Sequence, residues 1–180
     1  MGMMQKGKKG SAALRTALAG MLAALSVVVL FAGYATGIMD LTALAATALL
    51  SAVSVVELGG AYPYLIWAVV SVISFMIVPG EIAAGYLLFG GIYPVLKMYF
   101  ERLPRVLEWV VKLCYGALVL AALWLLSKFV FGVPDEAKWM MIGLAVGYAL
   151  FFVLFDYALS VAITLYMRRL RPKLKFLKRL

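Results

Sequence analysis

Apolar residues in this chain gather into long blocks, and the alternation that marks half-buried strands is missing, which argues against a barrel. Six blocks can be drawn, from about Ala12 to Tyr34, Leu41 to Leu58, Ala61 to Val78, Ile82 to Phe100, Val106 to Phe131 and Trp139 to Met167. Each approaches or exceeds the roughly 20 helical residues that span a hydrocarbon core of about 30 Å. In lipid every backbone polar group needs an internal partner, so each block predicts a helix. Breaks fall where turn chemistry puts them: Thr36-Gly37 with Asp40, Gly59-Gly60, Pro79-Gly80, Pro104 and Gly132-Val133-Pro134-Asp135. The second and third blocks are short and closely joined, so counts of five or seven stay open beside six.

Composition fixes the solvent. Of 180 residues, 66% are hydrophobic and 14% charged, against averages of roughly half and a quarter for soluble domains. Mean hydropathy is +1.04. The expectation is an all-α integral membrane protein, with one bundle over 1–167 and a basic tail over 168–180. A basic start before an apolar run resembles a signal peptide, but the run of about 23 residues exceeds an ordinary h-region, so a retained helix is expected. The chain has no His and one Cys, Cys114. Histidine metal sites, Ser-His-Asp triads and internal disulfides are therefore excluded. No complete G-x-x-x-x-G-K-S/T phosphate loop occurs, since Lys9 follows Gly7-Lys8, no cofactor is expected, and no closely spaced aspartates or adjacent glutamates mark an intramembrane enzyme.

Charge placement decides the count. Lys6, Lys8, Lys9 and Arg15 precede or begin the first block, and Lys97, Arg102, Arg105 and Lys112 flank the fourth connection. Arg168, Arg169, Arg171, Lys173, Lys175, Lys178 and Arg179 follow the last. With six helices, 15 of the 17 cations share one side and only Lys128 and Lys138 lie opposite. The positive-inside rule then puts both termini in the cytoplasm.

Three groups of residues are candidates for function. Ala13, Ala17, Gly20 and Ala24 stack on one face of the first helix, with Ala19 and Ala23 beside them. Such small-residue spacing lets backbones approach closely, either inside the bundle or against a partner. Charges at membrane depth form the second group: Glu57, Lys97, Glu101, Glu108, Lys112 and Asp156. A carboxylate such as Asp156 costs about 2.5–3.5 kcal/mol at the helix centre unless paired or hydrated, so pairing with Lys97 or Lys112 is expected. The network either holds helices in register or couples to a partner or to transport. The third group lies in the outer half: Glu81, Tyr86, Phe89, Trp124, Lys128, Phe129, Trp139 and Tyr148. Glu81, Tyr86, Trp124, Lys128 and Tyr148 are the candidate substrate-binding residues, since aromatic faces with one or two charges suit a flat polar solute. Interfacial anchoring is the alternative for Trp and Tyr. The basic, leucine-bearing tail suits an anionic lipid surface, and nucleic-acid binding is not expected.

The stretch Leu14-Arg15-Thr16-Ala17-Leu18-Ala19-Gly20-Met21-Leu22-Ala23-Ala24 resembles the first helix of the substrate-binding S components of energy-coupling factor vitamin transporters. The resemblance implies six helices, cytoplasmic termini and an Ala-xxx-Ala face, matched by Ala13/Ala17 and Ala19/Ala23, that docks on a transmembrane T component served by two ATPases. It further implies uptake of a vitamin-like solute across a bacterial inner membrane, with no chemistry in this chain. On binding, the loops near 36–40 and 133–137 would order. The competing expectation is a non-transport scaffold or assembly factor acting through the cytoplasmic-side charges.

Overall fold

The computed structural model describes residues 2–37, 40–129 and 138–172, apart from the side chains of 2–11, 127, 138–142, 144 and 170. The 133–137 loop, the Lys138 and Trp139 side chains and the tail from 173 therefore lie outside the described residues. Among those described, every regular element is a helix: α1 (Gly2–Thr36), α2 (Asp40–Glu57), α3 (Tyr62–Ile77), α4 (Gly80–Gly85), a π turn (Tyr86–Gly90), α5 (Tyr93–Phe100), α6 (Arg105–Phe129), α7 (Lys138–Leu165) and a second π turn (Tyr166–Leu170).

Five stretches are long and apolar enough to cross a membrane: Ala12–Thr36, Asp40–Glu57, Gly80–Phe100, Arg105–Leu126 and Ala145–Arg169. The sixth, α3, has only 16 residues, about 24 Å at 1.5 Å per residue. Pro63 in its first turn and the extended Val78 before Pro79 set those limits. Between α2 and α3, Gly59 and Gly60 take positive φ of 60° and 56°, which reverses the chain within a few residues without a Cβ penalty. The Tyr64 hydroxyl donates to the Tyr99 hydroxyl at 3.3 Å, so α3 starts at the end of the bundle where α5 finishes. The second π turn reaches Glu57 at the end of α2. These contacts gather the exits of α2, α5 and α7 with the entry of α3 at one end.

Helix α2 is the hub, touching α1, α3, α4, the first π turn, α5 and α7. Apart from Glu57, its buried residues are small: Ala43, Thr47, Ala48, Ser51, Ala52 and Ser54. Since lipid supplies no hydrophobic drive between helices, close approach through small residues holds such a bundle together. Buried hydroxyls are tolerated because Thr47 and Ser54 donate back to the carbonyls of Leu44 and Ser51, at 2.9 and 2.7 Å. On one side α1, α3 and Tyr86 form an apolar cluster around Leu30, Ile66 and Val70. On the other, Phe89, Tyr93, Phe152 and Phe155 pack against Ala48 and Ala52.

The fourth crossing stays helical from Gly80 to Phe100, as expected over Ile82 to Phe100, but its α-type hydrogen bonding breaks in the middle, between α4 and α5, at the π turn. The Gly91 N–H donates to the Tyr86 carbonyl five residues back, at 2.7 Å, instead of to Leu87. Side chains then supply partners: the Trp67 indole N–H donates to the Leu87 carbonyl at 2.9 Å, and the Tyr115 hydroxyl donates to that of Leu88. Irregular backbone survives at membrane depth only where protein re-satisfies it in this way. Gly91 is required by space, because a Cβ there would meet Trp67 Cδ1 at 2.6 Å and Tyr86 Cζ at 2.8 Å.

Candidate functional site

Immediately after that break, α5 presents Tyr93, Lys97 and Glu101 on one face, an i, i+4, i+8 series. α6 presents Glu108 and Lys112 in the same relation, and α7 supplies Asp156. Asp156 Oδ1 accepts the Tyr93 hydroxyl at 2.6 Å and the Lys97 ammonium. Its Oδ2 accepts Lys112 Nζ at 2.9 Å. Lys97 also donates to the Asp156 main-chain carbonyl at 3.1 Å. The chain of charges ends in two glutamates: Glu101 lies 3.3 Å from Lys97, and Glu108 lies 2.7 Å from Lys112.

The centre of this chain is dry. Lys97, Lys112 and Asp156 are 1%, 2% and 4% exposed. Aromatic rings roof it, with Phe89 and Phe155 centroids 4.7 Å apart and Tyr93 edge-on to Phe152 at 5.2 Å. Both anionic oxygens of Asp156 carry donors, as buried charge requires. Its ends meet the surroundings: the Glu101 side chain is 46% exposed, and a cavity of about 180 Å³ between α2, α5 and α7 opens onto Lys97 and Glu101. Chemically the arrangement is an alternating acid–base ladder, Glu101–Lys97–Asp156–Lys112–Glu108, that bolts three helices together and is most exposed at its Glu101 tip.

Glu57 does not join this network, contrary to expectation. Its carboxylate accepts the Tyr166 hydroxyl at 3.2 Å and pairs with Arg171 Nε at 3.2 Å. At the end of α2 it faces the second π turn instead.

The residues expected to form an outer pocket lie in different surroundings. Glu81 is exposed at the start of α4, Tyr86 is buried in the cluster with Leu30 and Val70, and Tyr148 packs on the opposite cluster beside Phe152. Trp124 and Lys128 meet each other, the ammonium 5.5 Å from the ring centroid. Tyr86 and Tyr148 thus belong to different apolar clusters, both of which α2 helps to form.

The small-residue face of α1 splits in two. Ala19 and Ala23 pack onto the Leu30–Ile66 cluster, so they serve the bundle. Ala13, Ala17, Gly20 and Ala24 point outward and are exposed, and nothing lies within 4 Å of where a Gly20 Cβ would be. Among the described residues no group of His, Cys, Asp and Glu is arranged to hold a metal ion. No family model matches the chain, and neither the curated proteins nor the solved structures contain a match.

Proposed function

We propose that this protein is a multi-pass subunit of a transport system in the bacterial inner membrane, similar to an S component, which takes a small organic solute from outside and docks on a transmembrane partner. The observation that carries this reading is the π turn in the middle of the fourth crossing. Such π turns inside helices recur at functional sites, and here side chains from two other helices supply the partners of its backbone. The turn adjoins the Lys97–Asp156–Lys112 ladder, so a shift of α5 against α6 and α7 has to rearrange ion pairs. The reading puts the end bearing Arg102, Arg105, Arg168 and Arg169 in the cytoplasm, with both termini. The outward face of Ala13, Ala17, Gly20 and Ala24 is the docking surface, and ATP hydrolysis in partners supplies the energy. Gentle extraction from native membranes followed by native mass spectrometry tests the proposal. The expected result is a companion membrane subunit with ATPases and a retained small molecule.

A second reading is favoured by one observation, the packing of Tyr86 and Tyr148 into separate apolar clusters. It makes the chain a scaffold or assembly factor acting through its charged cytoplasmic end. Recovery with a non-transport partner, and no bound solute, would select it.

A further inference from the structure

An apolar cleft of about 300 Å³ runs between α2 and the end of α7, lined by Ala52, Val53, Val56, Ile163, Leu165 and Tyr166. That volume lies at the lower end of the range for small-molecule sites, roughly 300–1,000 Å³. Leu165 also borders an open groove of about 410 Å³ along α7 and the second π turn, flanked by Ser160, Thr164, Arg168 and Arg169. One cleft is greasy and the next is cationic and hydroxyl-bearing, and they share a wall. Among the described residues neither Arg168 nor Arg169 is paired with an acid. The acid nearest this end of α2, Glu57, is already taken by Arg171 and Tyr166.

We infer that this pair of hollows binds one anionic glycerophospholipid from the surrounding leaflet, with an acyl chain between α2 and α7 and the phosphate on Arg168 and Arg169. Charge complementarity selects the occupant. A helix from a partner protein would fill the apolar cleft but leave two arginines facing it, whereas a phospholipid satisfies both hollows with one molecule. Guanidinium groups match phosphate oxygens in a bidentate fork, and Ser160 and Thr164 add hydroxyl donors. Basic pockets beside transmembrane helices on the cytoplasmic side recognise such headgroups. The site stands whether or not the chain transports anything.

The test is native mass spectrometry of the full chain in nanodiscs holding equal phosphatidylglycerol and phosphatidylcholine. One phosphatidylglycerol should be retained in preference to phosphatidylcholine, and removing each arginine should weaken that preference roughly fivefold. R168A/R169A should therefore bring retention of the two lipids close to parity. Ala162→Trp, on the wall of the greasy cleft, should reduce retention of both lipids. An unchanged melting temperature in phosphatidylcholine alone confirms that each variant folds, and Ile163→Phe replaces A162W if the latter does not. Soluble glycerol phosphate should fail to compete, because the acyl chain carries part of the affinity. Equal retention of both lipids by the unaltered protein overturns the inference. So does a preference that survives R168A/R169A, and so does competition by glycerol phosphate, which would reveal a plain anion site.

Discussion

Lys97 holds Asp156 twice, donating to its carboxylate and, at 3.1 Å, to its main-chain carbonyl. The second bond pins α5 to the backbone of α7, so the pair fixes helix position as well as charge. Lys112 then closes the carboxylate from α6 at 2.9 Å.

Asp156→Asn removes the only carboxylate between two buried ammonium groups. Loss of one partner from a buried ion pair costs about 3–5 kcal/mol, and here two cations are left facing each other. Thermal unfolding in mild detergent, followed by loss of the monodisperse peak, should show a large drop. The triple variant Asp156→Leu, Lys97→Met, Lys112→Met should recover most of it, since well-packed apolar replacements of buried ions are often neutral or stabilising.

Lys97→Met should destabilise more than Lys112→Met in the same assay. Lys97 serves the carboxylate, the carbonyl and Glu101, while Lys112 serves Asp156 and the half-buried Glu108. Equal effects would mean that the carbonyl contact adds nothing.

Gly91→Ala should be among the most harmful single-methyl changes, because the new Cβ meets the Trp67 and Tyr86 rings under 3 Å. Overpacking of this kind costs about 1–3 kcal/mol. Gly20→Ala should leave the isolated protein unchanged, as that position faces open space. If Gly20→Leu or Ala17→Leu breaks a complex with a companion subunit while sparing the melting temperature, the outward face of α1 is the docking surface.

Crossing of the short α3 is testable by labelling with a membrane-impermeant maleimide in a Cys114→Ser background. Cysteines at Ala61 and Pro79 should label from opposite sides, Ala61 together with Arg102, and Pro79 together with Thr36. Labelling of Ala61 and Pro79 from the same side would reduce the count to five crossings.

Much of this architecture can be read in the residues alone. Blocks of apolar sequence bounded by Gly, Pro and Asp give the helices within a few positions, since lipid leaves the backbone no other solution. The cost of a lone carboxylate in hydrocarbon makes Asp156 look for Lys97 or Lys112, and both reach it. The π turn in the fourth crossing was less legible, since only Trp67 from α3 and Tyr115 from α6, both distant in sequence, make it tenable. The surroundings of the outer aromatics were hidden for a related reason. Depth along the membrane normal follows from sequence position, whereas rotation about each helix follows from packing, and the buried small-residue helix α2 turned Tyr86 and Tyr148 to different sides.

The Lys97–Asp156 bond is tested most directly by a double-mutant cycle with Lys97→Met and Asp156→Leu, with unfolding free energies measured in bicelles. Residues in direct ionic contact should show a coupling of about 1–3 kcal/mol, the double variant being more stable than the sum of the single losses allows. Additivity within about 0.5 kcal/mol would contradict the buried ladder and the three-helix junction built on it.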